Sequence, residues 1–286
     1  MALERLFSFE FLETHKFQIY LMGIIFGLLG ILFSTIFLYD VSFPSGLIAV
    51  FFTTMIAIPY MYYLIIKEEK EELKTIGELT LLKHHINPLK NISLVFLGIT
   101  TAYLIFNLLL PEEYANLLFQ SQYNSLEAVK QLTTGFAIKP AEIFTTILQN
   151  NLRVLILTFL TSLAFGAGAI FILSWNASII GIALADYSTF TFQSLTSAGA
   201  NTTQAIFGVT YKLLLGYGIH GSLEILAYII MALTGGILSA YITNHHYNKK
   251  RTNQVIIEDL SALIFISLTL LILGAFVEAF ISPLIL

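Results

Sequence analysis

The sequence predicts an all-α protein, a polytopic bundle of transmembrane helices, from its composition and from the spacing of its charges. Of 286 residues, 57% are hydrophobic and only 11% are charged, whereas an ordinary soluble domain is about 25% charged. The charges cluster and leave apolar runs of roughly 20 residues, the length that crosses a ~30 Å hydrocarbon core. We therefore expect a single integral membrane domain over residues 1–286, with six to seven spans in the cell membrane.

The composition also excludes several classes of function. The chain has no cysteine, which rules out thiolate metal sites and disulfides. A net charge of −4 gives no basic face of the kind that nucleic-acid-binding proteins carry. The first residues mix acidic and basic side chains without a small-residue cleavage site, so we expect no removable signal peptide.

Five apolar segments each have the length of a membrane span. They cover residues 17–39, 46–66, 92–110, 152–175 and 260–281. The run over 213–243 is about 46 Å long at ~1.5 Å per residue, more than one straight span needs. It contains Gly216 and Gly218, so we expect a break there and a span that begins near Ile219.

Segment 177–219 has two interpretations. It is apolar up to Ala185 and then becomes rich in serine, threonine and phenylalanine. In one interpretation it is a further span. In the other it is a re-entrant or broken helix, which a membrane protein tolerates only where other parts of the protein cover the backbone.

The distribution of lysine and arginine predicts the orientation. Ten basic residues fall on one side of the membrane only if 177–200 crosses it, which gives seven spans, a cytoplasmic N-terminus and an outside C-terminus. These ten residues are Arg5, Lys16, Lys67, Lys70, Lys74, Lys83, Lys90, Lys249, Lys250 and Arg251.

Two segments between the spans are expected to be helical. Residues 67–90 form a cytoplasmic loop with charges at helical spacing, which predicts a charged helix continuing the second span. The adjacent His84 and His85 fall in this loop, and we expect them at the solvated surface. Residues 111–147 are outside and predict an amphipathic helix on the membrane face or on the bundle. Its apolar residues are Leu117, Leu118, Tyr123, Leu126 and Val129.

Five ionisable residues lie inside or near the predicted spans, where each costs roughly 2.5–3.5 kcal/mol on insertion scales. They are Arg153, Asp186, His220, Glu224 and Glu278. The predicted topology places all of them except Asp186 at one depth, near the outer leaflet. Asp186 lies near mid-membrane if its segment spans, and caps a short helix if it re-enters.

His220 and Glu224 are four residues apart and so share one helix face. One interpretation is a metal or proton site. Two ligands from one helix are too few for zinc, however, and no catalytic motif accompanies them. The other interpretation is a structural polar cluster of His220, Glu224 and Arg153 with Asn150 and Asn151. Asp186, Asn176 and Glu278 are then candidates for lining a cavity or supporting this cluster.

Small residues predict close contacts between helices. We expect them within the span 152–175, in the next-to-last span and in the first span. The residues concerned are Gly166, Ala167, Gly168, Ala169, Gly235, Gly236, Gly23, Gly27 and Gly30. The same glycine-rich faces would suit a homodimer.

Residues 150–181 and 220–236 together carry a recognisable pattern. An Asn-Asn pair is followed by a mid-helix glycine, an asparagine and a later glycine, and then by a His-Gly-x-x-Glu helix that ends in glycine. The matching positions are Asn150, Asn151, Val154, Gly166, Asn176, Gly181, His220, Gly221, Glu224 and Gly235. With Glu13, Thr14 and His15 before the first span, the chain resembles the stage II sporulation protein M (SpoIIM, DUF95) family, most densely over a core at 150–243. Two positions depart from the pattern: Ala177 stands where a glycine is usual, and Ile219 where a proline commonly precedes His-Gly.

The resemblance implies a prokaryotic membrane protein without enzymatic activity or cofactor. In spore-forming bacteria the family member is a scaffold that recruits cell-wall-degrading proteins, so the implied partners are the lipid bilayer and other membrane or envelope proteins. Two alternatives remain. One is a transport component, with Asp186 and Lys212 along a path. The other is an intramembrane metal-dependent hydrolase using His220 and Glu224, with Glu278 or His15 as a third ligand.

Overall fold

The structure, a computed structural model, describes residues 15–37, 45–72, 81–134, 140–243 and 250–284. Within these residues it contains helices and turns but no strand, which confirms the all-α prediction. The α-helices in chain order are α1 Lys16–Phe37, α2 Ser45–Glu72, α3 Leu81–Leu109, α4 Glu112–Leu118, α5 Gln120–Thr134, α6 Pro140–Phe165, α7 Ala169–Ser197, α8 Thr202–Lys212, α9 Ile219–Thr243 and α10 Lys250–Phe276. Two π-helical segments interrupt this series, Leu213–Gly218 and Val277–Ile281.

Seven helical stretches of the described chain are long and apolar enough to cross a membrane. They are α1, α2, α3, α6, α7, the combined α8–α9 helix and α10 with its π-helical end. This number agrees with the predicted seven spans. The predicted segments 17–39, 46–66, 92–110 and 260–281 overlap α1, α2, α3 and α10, although α2, α3 and α10 extend beyond the predicted bounds and residues 38 and 39 lie outside the described residues.

Close backbone contacts hold the first three helices together. A Cβ atom at Gly23 of α1 or at Gly98 of α3 would collide with the backbone of the other helix. In the second half of the bundle, a Cβ atom at Gly235 of α9 would lie 2.8 Å from the Phe159 carbonyl oxygen of α6. The close approach predicted for these glycines of α1 and α9 is therefore present, and α9 is buried over most of its length.

The two ends of the bundle differ in composition. We call the end where α2 finishes and α3 begins the basic end, because Lys67, Lys70 and Lys90 lie there. We call the opposite end the cap end, because α4 and α5 fold over it. Phe119, between these two short helices, is fully buried and packs on Tyr103 of α3 with ring centroids 5.8 Å apart.

The cap end also distinguishes two expectations for segment 111–147. Gln122 of α5 is fully buried, and its amide donates hydrogen bonds to the Gly46 carbonyl oxygen (3.1 Å) and to Ser178 Oγ (3.2 Å). Residues 112–134 therefore lie on the bundle, as one of the two alternatives predicted, whereas residues 140–147, expected in the same outer segment, are the first turns of the candidate span α6. Leu117, expected on its apolar face, is 71% exposed, and Val129 has a side chain outside the described residues.

The predicted span 152–175 is wrong. Helix α6 begins earlier, at Pro140, and ends at Phe165, and a new helix begins at Ala169. Gly166 between them has a φ of 63°, a conformation that glycine adopts without the steric penalty of other residues. The small residues at 166–168 thus form a turn between two spans, and Ala169 begins the second, where we had expected all four within one span.

For segment 177–219 the structure has the spanning arrangement. Residues 177–197 continue the 29-residue helix α7. A turn with Gly199 at φ 94° follows, and Asn201 begins α8 by accepting a hydrogen bond from the Gln204 backbone N–H at 2.9 Å. The break expected at Gly216–Gly218 is instead a π-helical segment, so Thr202–Thr243 forms one helical stretch of 42 residues.

Candidate functional site

Three polar side chains from three helices meet inside the bundle. Asn151 of α6 donates a hydrogen bond from Nδ2 to Glu224 Oε1 of α9 at 2.5 Å. The carboxyl group of Glu224 also lies beside that of Glu278, in the π-helical end of the last span. We call Asn151, Glu224 and Glu278 the carboxyl–amide cluster.

Gly274 of α10 makes room for this cluster. A Cβ atom at this position would lie 2.7 Å from Glu224 Cγ. The absence of a side chain therefore lets α10 approach α9 closely enough for Glu278 to reach Glu224. Both carboxyl side chains are partly buried, and Asn151 is buried.

His220 lies one helical turn before Glu224 but has different partners. Its Nδ1 is 2.9 Å from Ser282 Oγ, and it is 6% exposed. Its ring also packs against Tyr217, with centroids 5.9 Å apart. His220 is the second residue after the π-helical segment of α8–α9, and Ser282 is the first residue after the other one. Such segments are frequent at functional sites because they widen the helix and redirect side chains.

The remaining predicted site residues lie apart from this cluster. Arg153 is exposed on α6, and no ion pair joins it to Glu224 in the described part of the chain. Asn150 is also exposed, and within the described ranges its only link to the cluster described above is a long hydrogen bond that its Nδ2 donates to Asn151 Oδ1 at 3.5 Å. Asn176 of α7 donates to the Ile172 carbonyl oxygen of its own helix at 2.7 Å. The polar cluster of Arg153, Glu224 and His220 that the sequence suggested is thus not assembled with Arg153.

Asp186 belongs to a separate polar contact at the cap end. Tyr123 of α5 donates a hydrogen bond to Asp186 Oδ1 of α7 at 3.2 Å, and it accepts one from Asn107 Nδ2 of α3 at 2.8 Å. Burial raises the pKa of Tyr123 to about 12. The phenol therefore stays protonated near neutral pH and links the cap to two spans.

A second buried cluster was missed by sequence reasoning. His85 of α3 is 1% exposed, its Nδ1 is 2.5 Å from Glu68 Oε1 of α2, and its Nε2 is 2.7 Å from Asp259 Oδ2 of α10. We call Glu68, His85 and Asp259 the charged cluster. The expectation that His85 is a surface residue is wrong. His84 has a side chain outside the described residues.

A signal for the charged cluster was present in the helical periodicity. Glu68 continues the buried face of Tyr60, Met61, Leu64 and Ile65 by one turn. His85 lies one and two turns before the buried residues Pro88 and Ile92. Extending each apolar face into the charged loop at 3.6 residues per turn would have placed both side chains toward the core.

Neither cluster has the arrangement of a metal site. Within the described residues no group of three or more histidine, aspartate or glutamate side chains is placed to hold a metal ion. Both ring nitrogens of His85 face carboxylate oxygens, which leaves no nitrogen directed at a shared ion. The two candidates from the sequence, His220 and Glu224, bond to different residues.

These features define a class of protein: a polytopic integral membrane protein whose polar side chains within the spans bond to one another across helices. The chain belongs to the stage II sporulation protein M family, whose sequence profile matches residues 91–283. This result confirms the resemblance derived from the Asn-Asn and His-Gly-x-x-Glu elements.

The chain is also similar to an uncharacterized protein of Methanocaldococcus jannaschii. The two are 28% identical over 142 residues, which cover 49% of this chain and 71% of the relative. No solved structure matches the chain.

Proposed function

We propose that the protein is a non-enzymatic membrane scaffold that anchors or positions envelope-associated partners. The observation that carries this proposal is the pairing of polar groups within the bundle. Asn151 donates to Glu224, Glu278 lies beside Glu224, and His220 bonds to Ser282. Polar groups that satisfy one another across helices fix helix packing, whereas a catalytic centre needs groups directed at a shared open space. The family membership adds support, since the family is not known for enzymatic activity.

The length of the α8–α9 stretch supports a partner surface at the cap end. Its 42 residues extend about 63 Å at ~1.5 Å per residue, twice the ~30 Å hydrocarbon core. Near its beginning, Phe207 and Tyr211 are exposed, and so is Phe190 on the adjacent end of α7. In our proposal these residues project beyond the membrane and contact a partner.

The proposed orientation places the basic end in the cytoplasm and the cap end outside. The lysines between α2 and α3 support this orientation by the positive-inside rule. The chain lacks cysteine, so single cysteines can report it. We expect Thr203→Cys at the cap end to react with a membrane-impermeant maleimide in intact cells, and Lys70→Cys to react only after permeabilisation. The reverse pattern would contradict the orientation.

The scaffold proposal is tested by affinity purification from native membranes with quantitative mass spectrometry. We expect a near-stoichiometric envelope protein to co-purify with the wild type and to be lost from Phe190→Ser/Phe207→Ser. The matched control is Phe165→Ser, because Phe165 is 78% exposed but lies at the turn between α6 and α7. A wild-type protein recovered alone, or equal loss from the control, would argue against the proposal.

A second candidate, a transport component, is favoured by one specific observation. The Glu224 and Glu278 carboxyl groups touch inside the spans, and the second lies in a π-helical segment. Paired carboxyl groups at such depth are typical of proton or ion pathways. In proteoliposomes with an entrapped pH-sensitive dye, this function predicts a proton leak that Glu278→Gln abolishes. A leak no greater than that of empty liposomes would contradict the transport function and leave the scaffold as the remaining proposal.

A further inference from the structure

A groove of about 450 Å³ opens beside the start of α1 and one face of α3. Its size lies within the ~300–1,000 Å³ range of small-molecule sites. Its lining from α3 follows helical spacing, and a few residues from other helices complete it. The lining residues are Lys16, Ile86, Leu89, Lys90, Ser93, Leu94 and Leu226. None of them takes part in either polar cluster.

The groove combines two lysines and Ser93, whose Oγ donates to the Leu89 carbonyl oxygen, with an otherwise apolar wall. Lys16 is held in place because its Nζ donates a hydrogen bond to Asn91 Oδ1 at 2.6 Å, and Asn91 is 2% exposed. Lys90, next to Asn91 on α3, is exposed. The apolar stems of Lys16 and Lys90 line the groove, and their charged ends suit a single anionic group at its mouth, since each lysine is a compact positive charge with several donors.

The position of the groove points to a lipid. Lys16 begins the candidate span Lys16–Ile36, and Lys90 lies near the beginning of the candidate span His85–Leu109. The lysines are thus at the level where headgroups meet the hydrocarbon core, and Leu94 and Leu226 line the groove farther along the spans. The exposed side chain of Phe17, beside Lys16, adds apolar surface at this level. A soluble anion would use the lysines but not this apolar wall.

We propose that this groove binds one anionic glycerophospholipid. Its phosphodiester lies between Lys16 and Lys90, and an acyl chain follows the apolar wall past Leu94 toward Leu226. Basic pockets between transmembrane helices are a common mode of anionic lipid recognition. The site is independent of the scaffold proposal, because it involves neither the cap end nor the two polar clusters.

The test is native mass spectrometry of the full chain with added phosphatidylglycerol or phosphatidylcholine of the same acyl chains. We expect wild-type protein to retain one phosphatidylglycerol in preference to phosphatidylcholine. Lys90→Gln should weaken that binding about fivefold, the change expected for one lysine near a lipid phosphate. Ser93→Trp, which fills the groove and keeps both lysines, should displace the bound lipid.

The controls separate a site from general attraction. Lys70→Gln removes an exposed lysine at the same end of the bundle but outside the groove, so its lipid binding should match the wild type. Glycerol 1-phosphate, a headgroup without acyl chains, should not compete. Equal retention of both lipids, equal weakening by Lys70→Gln, competition by glycerol 1-phosphate or full binding by Ser93→Trp would each overturn the proposal.

Discussion

The charged cluster and the carboxyl–amide cluster each join three helices, but they balance charge in different ways. The charged cluster places an imidazole between two carboxylates, and all three side chains are at most 4% exposed. The carboxyl–amide cluster has two carboxyl groups and an amide but no cation, and its two acidic side chains are only partly buried. The first contains one cationic group for its two carboxylates, whereas the second contains none.

This difference assigns the two clusters different roles. A buried cluster with its own counter-charge holds helices in place, because losing any member leaves an unpaired charge. A cluster without a cationic side chain can change its hydrogen bonding when its surroundings change. The charged cluster also links Glu68 and His85, which precede the family match, to Asp259 within it. The cluster therefore joins α2 and the beginning of α3 to the part of the chain that the family profile matches.

The largest expected effect is the loss of His85. His85→Leu leaves Glu68 and Asp259 buried without a cation, and we expect the free energy of unfolding to fall by about 3–5 kcal/mol. Thermal and denaturant unfolding in detergent would measure this loss.

A triple replacement isolates the cause. Glu68→Met/His85→Leu/Asp259→Leu removes all three charges and should recover most of the lost stability, because apolar side chains of similar volume substitute well for buried ion pairs. If the His85→Leu variant were as stable as the wild type, the charged cluster would have no structural role.

Substitutions in the carboxyl–amide cluster should lower the free energy of unfolding by less than the loss of His85. Glu224→Ala leaves the Asn151 amide and the Glu278 carboxyl without their partner, at an expected cost of about 1–3 kcal/mol. Glu224→Gln should cost less than that, because its amide still accepts from Asn151 and donates to Glu278. The same unfolding measurements apply. A glutamine variant less stable than the alanine variant would contradict the hydrogen bonding described here.

A steric change tests the same site without altering its charge. Gly274→Ala would force Glu224 Cγ to move, since the new Cβ would lie 2.7 Å from it. We expect a loss of about 1 kcal/mol, in the lower range for overpacked sites. Gly221→Ala is the matched control, because nothing lies within 4 Å of its added Cβ. Equal effects on unfolding temperature would show that the space at Gly274 is unimportant.

The smallest effect concerns Tyr123 at the cap end. Its folded-state pKa of about 12 exceeds the ordinary value of 10.0. The stability that this shift contributes is therefore complete below pH 10 and is lost as pH rises toward 12. Tyr123→Phe should cost about 1 kcal/mol at pH 7 through its lost hydrogen bonds, and should flatten the loss of stability between pH 10 and 12. An unchanged alkaline profile would contradict this.

Periodicity and hydropathy predicted the helices but not all of their ends. The span at 152–175 was misplaced because Gly166 and Gly168 also suit a helix contact, and only the surrounding packing decides between contact and turn. The proximity of Asn151, Glu224 and Glu278 agrees with the common depth deduced from the topology. Their bonds, and the separation of Arg153, depend on the rotation of each helix about its axis, which hydropathy does not fix.

The charged cluster shows a further limit of sequence reasoning. Its members are separated by up to 174 positions in the chain, so no local motif connects them. Many charged residues precede His85 and suggest a solvated loop, so composition alone favours an exposed position for its side chain. The apolar faces that continue into the loop carry the correct information, because burial follows the helical repeat rather than the average polarity of a segment.

The 42-residue stretch Thr202–Thr243 has a mechanical consequence. One continuous helix passes through the bundle and emerges at the cap end, so a tilt at one end displaces the other. A tilt of about 10° about the Thr243 end would displace the Thr202 end by about 11 Å, given a length of ~1.5 Å per residue. The helix therefore converts a small tilt at one end into a large displacement at the other. It bends most easily at its π-helical segment.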